Sequence, residues 1–126
     1  YEAFFGLENL KTLYLFHNKI KYLDKFTFFY LKNIEILSLS QNLIRILKND
    51  TFYYLFSLKS ISLFENNIEE ICTGAFSSLI NLNEELDFKG GSIRILKPYT
   101  FRGLSKLTSL ILTDNEIVNV SNYSLN

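Results

Sequence analysis

The sequence predicts a solenoid in which short parallel strands line one side and irregular turns form the other. Three observations predict it: a 24-residue repeat along the whole chain, an alternation of apolar residues inside each copy, and a turn-forming segment after each alternation. With 126 residues, 48% of them apolar and 21% charged, the chain has the size and composition of one globular domain.

Seven apolar columns define the repeat. Counted from Leu10 as position one, apolar residues recur at positions one, four, six, eleven, fourteen, nineteen and twenty-two of the copies. Position nine is Asn in four copies and position nineteen is Phe in four. The sequence therefore predicts one array over 1–126, with repeats at 10–33, 34–57, 58–81 and 82–106 and partial repeats at 1–9 and 107–126.

The first part of each copy is predicted to be a short strand. Segments such as TLYLF at 12–16 alternate apolar and variable residues, which buries one face of a strand. One copy cannot bury its own leucines, so the strands stack in parallel and neighbouring copies stabilise each other.

The second part of each copy is predicted to turn back along the opposite side. Asn49, Asp50, Gly74 and Pro98 favour irregular or 3₁₀ turns over long helices. The Phe column closes this side, and we expect its rings to meet edge to edge.

The asparagine column is expected to be structural. An amide side chain has donors and an acceptor, so it can satisfy backbone groups of its own copy and of the neighbouring one. We therefore assign a ladder of hydrogen bonds, and no ligand role, to Asn18, Asn42, Asn66 and Asn115.

Repeat 4 (82–106) departs from the pattern in three ways. Gly91 replaces the asparagine, Phe88 replaces a leucine, and one extra residue lies near Glu84 and Glu85. We predict a break in the asparagine ladder, positive φ at Gly90 and Gly91, and a bulge or kink where the strand begins.

The consensus LxxLxLxxNxIxxLxxxxFxxL resembles the leucine-rich repeat family, specifically its 24-residue "typical" class. The resemblance implies an α/β-type leucine-rich repeat solenoid, a horseshoe arc with the strands on its concave face and the turns on its convex face. The typical class is found in ectodomains similar to those of Toll-like receptors, glycoprotein-hormone-type receptors, Slit-like guidance proteins and lamprey lymphocyte receptors. It implies a protein-binding module of a cell-surface receptor, located outside the cell. A structural or adhesive matrix protein and a cytoplasmic scaffold remain alternatives, and the lone Cys72 is compatible with the scaffold.

Side chains between the buried columns of the strand segment are the candidate ligand-binding residues. Tyr14, Phe16 and Phe64 would be aromatic anchors, unless they pack on one another along the strands. Glu65, Asp87, Asp114 and Glu116 would form a loose acidic group, either for a basic ligand or simply solvated. The full set on the concave face is Tyr14, Phe16, His17, Lys19, Ser38, Ser40, Gln41, Phe64, Glu65, Asp87, Lys89, Asp114 and Glu116.

No constellation for catalysis is visible in the sequence. His17 is the only histidine and Cys72 the only cysteine, so we expect no histidine-based metal site and no disulfide within the chain. No phosphate-binding or nucleophile motif occurs either. We predict that the protein is not an enzyme and uses no cofactor and no metal.

The predicted partner is a protein ligand or co-receptor. The formal net charge is zero, which gives no electrostatic case for nucleic acid, and no apolar run is long enough to span a bilayer. Sequons at Asn49, Asn119 and Asn122 are candidate glycosylation sites. The lack of methionine and the partial repeats at both ends predict a piece of a longer array, with uncapped apolar ends that self-associate.

Overall fold

The computed structural model describes residues 2–125 and contains one main parallel sheet. Its five strands come from successive copies and lie side by side in the order of the chain. Equivalent residues pair across them, as Leu13 with Leu37 and Leu37 with Ile61. These strands are Thr12–Tyr14 (β1), Ile36–Ser38 (β2), Ser60–Ser62 (β4), Glu85–Asp87 (β6) and Ser109–Ile111 (β8). The predicted solenoid of stacked parallel strands is confirmed.

The apolar columns form one continuous core. Leu37, Ile61 and Leu86, at position four of repeats 2 to 4, are buried, as are their counterparts in the other columns. The equivalent residues of the first and last copies, such as Leu13 and Leu110, are only partly buried because they have a neighbour on one side. Burial therefore comes from stacking, as expected for a repeat protein.

The phenylalanine column runs through the core on the turn side. The rings of Phe28, Phe52, Phe76 and Phe101 follow one another at centroid distances of 5.9–6.3 Å with their planes only 14–16° apart. The expected edge-to-edge contact is wrong. Identical backbone geometry in each copy repeats the same side-chain rotamer, so neighbouring rings lie nearly parallel and offset.

The turn segments contain a second set of short strands that the sequence did not predict. Each has two residues: Ile46–Leu47 (β3), Glu70–Ile71 (β5), Ile95–Leu96 (β7) and Asn119–Val120 (β9). β3 pairs with β5, and β7 pairs with β9. The remaining turns are irregular and closed by bonds between residues three apart, such as Tyr53 N–H to Asp50 O at 3.0 Å.

Three of the four predicted asparagines, Asn42, Asn66 and Asn115, bridge neighbouring copies, whereas Asn18 bonds only to carbonyls of its own copy. Asn42 Oδ1 accepts the N–H of Ile20 at 2.9 Å, and its Nδ2 donates to the carbonyls of Leu15 and Leu39 at 2.9 and 3.0 Å. The equivalent bonds are made by Asn66 and Asn115. Each amide thus satisfies backbone groups of two copies in the interior of the coil.

The ladder breaks at Gly91, also as predicted. Ile68 N–H, which corresponds to the Ile20 group that Asn42 accepts, has no acceptor among residues 2–125. A Cβ at position 91 would lie 2.6 Å from Asn115 Oδ1, so a side chain would collide with the next amide of the ladder. Of the two neighbouring glycines, Gly90 has a positive φ, at 72°, and Gly91 does not, so the expectation for Gly91 is wrong.

The extra residue of repeat 4 causes the predicted irregularity at the start of its strand. The chain bends at Glu84, and β4 pairs with β6 through two residue pairs where β6 pairs with β8 through three. Within residues 2–125 no pairing joins β5 to β7. Three irregularities therefore lie between repeats 3 and 4. They are the bend at Glu84, the missing amide at Gly91, and the lack of pairing between β5 and β7.

Candidate binding surface on the strand face

The strand face, formed by the outward side chains of β1, β2, β4, β6 and β8, carries an exposed aromatic pair at one end. Tyr14 and Phe16 are 62% and 52% exposed, and their ring centroids lie 6.0 Å apart at an angle of 63°. The rings thus pack on each other and still face solvent, and their role as ligand anchors stays a prediction. Such a pair is held in place before a ligand arrives, which suits an interface anchor.

A third apolar side chain extends this pair. Ile36 lies on β2 beside Thr12 of β1 and is exposed. Ile36 is not among the candidate contacts named from the sequence, although its position in the alternation of the strand segment indicates that it faces outward. Phe64, the third predicted anchor, lies on the same face but is half-buried.

The serines between the aromatic residues are less accessible than predicted. Ser40 is 2% exposed, and its Oγ lies 2.6 Å from Ser62 Oγ and 3.4 Å from Ser38 Oγ. It occupies the same repeat position as Phe16 and Phe64 in the flanking copies, which are exposed and half-buried respectively. The prediction that Ser40 contacts a ligand is wrong, whereas Ser38 remains half-buried.

A row of left-handed residues ends the strand segments. Position eight has φ between 52° and 72° in every copy, and the residues there are His17, Gln41, Glu65, Gly90 and Asp114. The N–H groups of the first four donate to the next copy, as His17 does to Ser40 O at 3.0 Å. Four are not glycine, and a side chain in this conformation costs about 1–2 kcal/mol. The sequence did not reveal this row, because its side chains share no chemistry.

The predicted acidic group does not form one cluster. Glu65 Oε2 accepts Gln41 Nε2 at 2.7 Å, Asp87 Oδ1 accepts Lys89 N–H at 2.8 Å, and Asp114 lies 3.8 Å from Lys89 Nζ. These carboxylates thus have separate partners along the face, and only Asp114 faces a cation. Glu116 and Lys19 are exposed at its margin.

Over residues 2–125 the structure holds no group of three or more His, Cys, Asp or Glu side chains arranged to bind a metal ion. No helix within the same span is long and apolar enough to cross a membrane. Cys72 is a free, half-buried thiol.

The candidate glycosylation sites lie away from the strand face. Asn49 is exposed in a turn, Asn119 is exposed in β9, and Asn122 is exposed in the turn that follows. Their use stays a prediction.

Two solved structures place the fold among Toll-like receptor ectodomains. The TLR13–ssRNA13 complex matches with a TM-score of 0.74 and 29% identity, over 99% of this chain and 21% of that one. Toll, in the Toll–Spätzle complex of Drosophila, matches with a TM-score of 0.81 and 26% identity, over 90% of this chain and 17% of that one. The chain thus spans about a fifth of the length of these receptors.

One of these neighbours was solved with single-stranded RNA and the other with the protein Spätzle. The expectation that zero net charge excludes nucleic acid is therefore not supported for this fold. No curated protein gives a significant match to the sequence. Residues 8–68 and 56–117 match the Leucine rich repeat family. The chain belongs to the leucine-rich repeat family.

Proposed function

We propose that this chain is part of a cell-surface receptor ectodomain and recognises a protein ligand through its strand face. The observation that carries the proposal is the exposed, mutually packed pair Tyr14 and Phe16 at one end of a rigid parallel sheet. Aromatic residues on rigid elements are the usual anchors of protein interfaces. The likeness to two binding ectodomains supports this reading.

The charge of the strand face favours a protein over a nucleic acid. Its candidate contacts include two lysines, Lys19 and Lys89, against four carboxylates. A phosphate backbone needs an excess of cations, and its binding weakens steeply with salt. We therefore propose a protein ligand, with RNA as the alternative that the experiment must separate.

The extracellular setting is part of the proposal. Toll-like receptor neighbours favour it, and the exposed sequon asparagines are compatible with it. A matrix protein or an intracellular scaffold would use the same strand face and differ in the compartment where the partner is found.

Binding of immobilised protein to a panel of secreted proteins, and to a single-stranded RNA oligomer, tests the proposal. We expect at least one secreted protein to bind, and the double variant Tyr14→Ser/Phe16→Ser to weaken it about tenfold or more. Tyr22→Ser is the matched control, because Tyr22 is 85% exposed and lies outside the strand face. The proposal would be contradicted if the chain bound RNA and no secreted protein, and if the double variant abolished that binding.

A further inference from the structure

A second aromatic surface lies on the turn face, the side opposite the main sheet. Seven rings form a connected group there, with neighbouring centroids 4.8–6.4 Å apart and mostly at steep angles. We call this group the turn-face cluster: Phe5, Phe26, Phe29, Tyr30, Tyr53, Tyr54 and Phe56. It is distinct from the buried phenylalanine column, and the proposed function makes no use of it.

The repeat does not require these rings. Positions twenty and twenty-one carry Phe29 and Tyr30 in repeat 1, and Tyr53 and Tyr54 in repeat 2. The same positions carry Ser77 and Ser78 in repeat 3, and Arg102 and Gly103 in repeat 4. Copies without the rings still bury their own core, as Phe76 and Leu79 show. The cluster is therefore an addition to one half of the turn face and not part of the scaffold.

Much of the cluster faces solvent. Phe5, Phe26, Tyr53 and Phe56 are 70%, 39%, 40% and 46% exposed. At about 200 Å² for each aromatic residue, they leave on the order of 400 Å² of mostly apolar surface exposed. An apolar patch of this size is comparable to the largest patch on a typical monomeric protein, which is often functional.

Two lysines give the cluster a cationic rim. Lys25 Nζ lies 4.9 Å from the centre of the Tyr53 ring, and Lys32 Nζ lies 5.7 Å from that of Phe29. Lys25 reaches a carboxylate, that of Asp50, only at 3.9 Å. Lys32 forms no ion pair within residues 2–125. Both ammonium groups can therefore donate hydrogen bonds to a carboxylate of a partner.

We propose that the turn-face cluster binds a protein segment that presents apolar side chains flanked by carboxylates. Its apolar side chains would cover the exposed rings, and its carboxylates would pair with Lys25 and Lys32.

Selection of binders from displayed peptide libraries, with the folded chain as the target, tests this inference independently of any strand-face ligand. Three libraries of short peptides serve as probes: apolar residues alternating with Asp and Glu, the same with Lys and Arg, and Asp and Glu alternating with Ser. We expect enrichment only from the acidic apolar library. Raised salt and the charge reversals Lys25→Glu and Lys32→Glu should weaken the selected peptides several-fold.

Matched variants locate the binding. The triple variant Phe5→Ser/Tyr53→Ser/Phe56→Ser should weaken the selected peptides about tenfold or more, whereas Tyr22→Ser and Tyr14→Ser/Phe16→Ser should leave them unchanged. The lysine reversals leave every ring in place, so they keep the test valid if the triple variant fails to fold. Equal enrichment of the basic library, no enrichment at all, or binding to phosphatidylserine vesicles without peptide binding would overturn the inference.

Discussion

Asn42 shows how a single side chain connects two copies. Its amide satisfies the part-buried N–H of Ile20 and carbonyl of Leu15, and the buried carbonyl of Leu39. Each buried group left unpaired costs about 1–3 kcal/mol, so we expect Asn42→Ala to lower the free energy of unfolding by about 3 kcal/mol. Urea denaturation followed by circular dichroism measures it.

Asn18 is the matched control for that experiment. It is exposed and donates only within its own copy, to the carbonyls of Leu15 and Phe16. Asn18→Ala should therefore lower the free energy of unfolding by well under half as much as Asn42→Ala. Equal losses in both variants would mean that bridging between copies contributes little.

At the residue scale, the sequence predicted the features that recur at the same position of each copy. It missed the features that depend on residues of neighbouring copies. The asparagine bridges and the gap at Gly91 follow from periodicity, because equivalent positions share one environment. The burial of Ser40, which Phe16 and Phe64 at the same position of the flanking copies do not share, is not revealed by any single copy. The left-handed row was missed because its backbone conformation is set by the end of the strand and not by the side chains present.

At the scale of the elements, the charged positions just before the strands are linked from copy to copy. The ammonium groups of Lys59 and Lys11, at 2.6 and 2.9 Å, lower the pKa of Glu35 from its usual 4.5 to about 2. Because the folded-state pKa is the lower one, the stabilisation is complete above pH 4.5 and is lost as the pH falls towards about 2.

Glu35→Gln should therefore flatten the dependence of stability on pH over this window. Thermal melts between pH 2 and pH 7 measure the effect, which should shrink in high salt because the three groups are partly exposed. Glu84→Gln is the control, since Glu84 forms no ion pair among the residues described. A parallel loss of pH dependence in both variants would contradict the role given to Glu35.

The main strands were predictable and the minor ones were not. Alternation over five residues, as in TLYLF, identifies β1 and its counterparts. β3, β5, β7 and β9 have two residues each, too few to show any periodicity. They form because the regular stacking of the main sheet also brings the turn segments of neighbouring copies within bonding distance. Where that stacking is disturbed by the extra residue at Glu84, the pairing of β5 with β7 is absent.

At the scale of the whole molecule, both ends of the array expose apolar side chains. Leu7 is exposed at one end, and Val118, Val120 and Leu125 are exposed at the other. We expect this polypeptide to self-associate through these ends, with a light-scattering mass that rises with concentration. Val118→Lys/Val120→Lys should lower the apparent mass, whereas Phe56→Ser on the turn face should not. A constant monomer mass up to high concentration would disprove the prediction.

The regularity of the hydrogen bonds bears on how such a chain grows. A tandem duplication of residues 34–57 would insert a copy whose asparagine finds the same carbonyls and N–H as Asn42 does, so the longer array would need no compensating change. A duplication of 82–106 would insert a second Gly91 and, with it, a second buried N–H lacking an acceptor. Regular copies are thus suitable units for lengthening the protein by evolution or design. Repeat 4 is not, because each further copy of it would add another unpaired N–H.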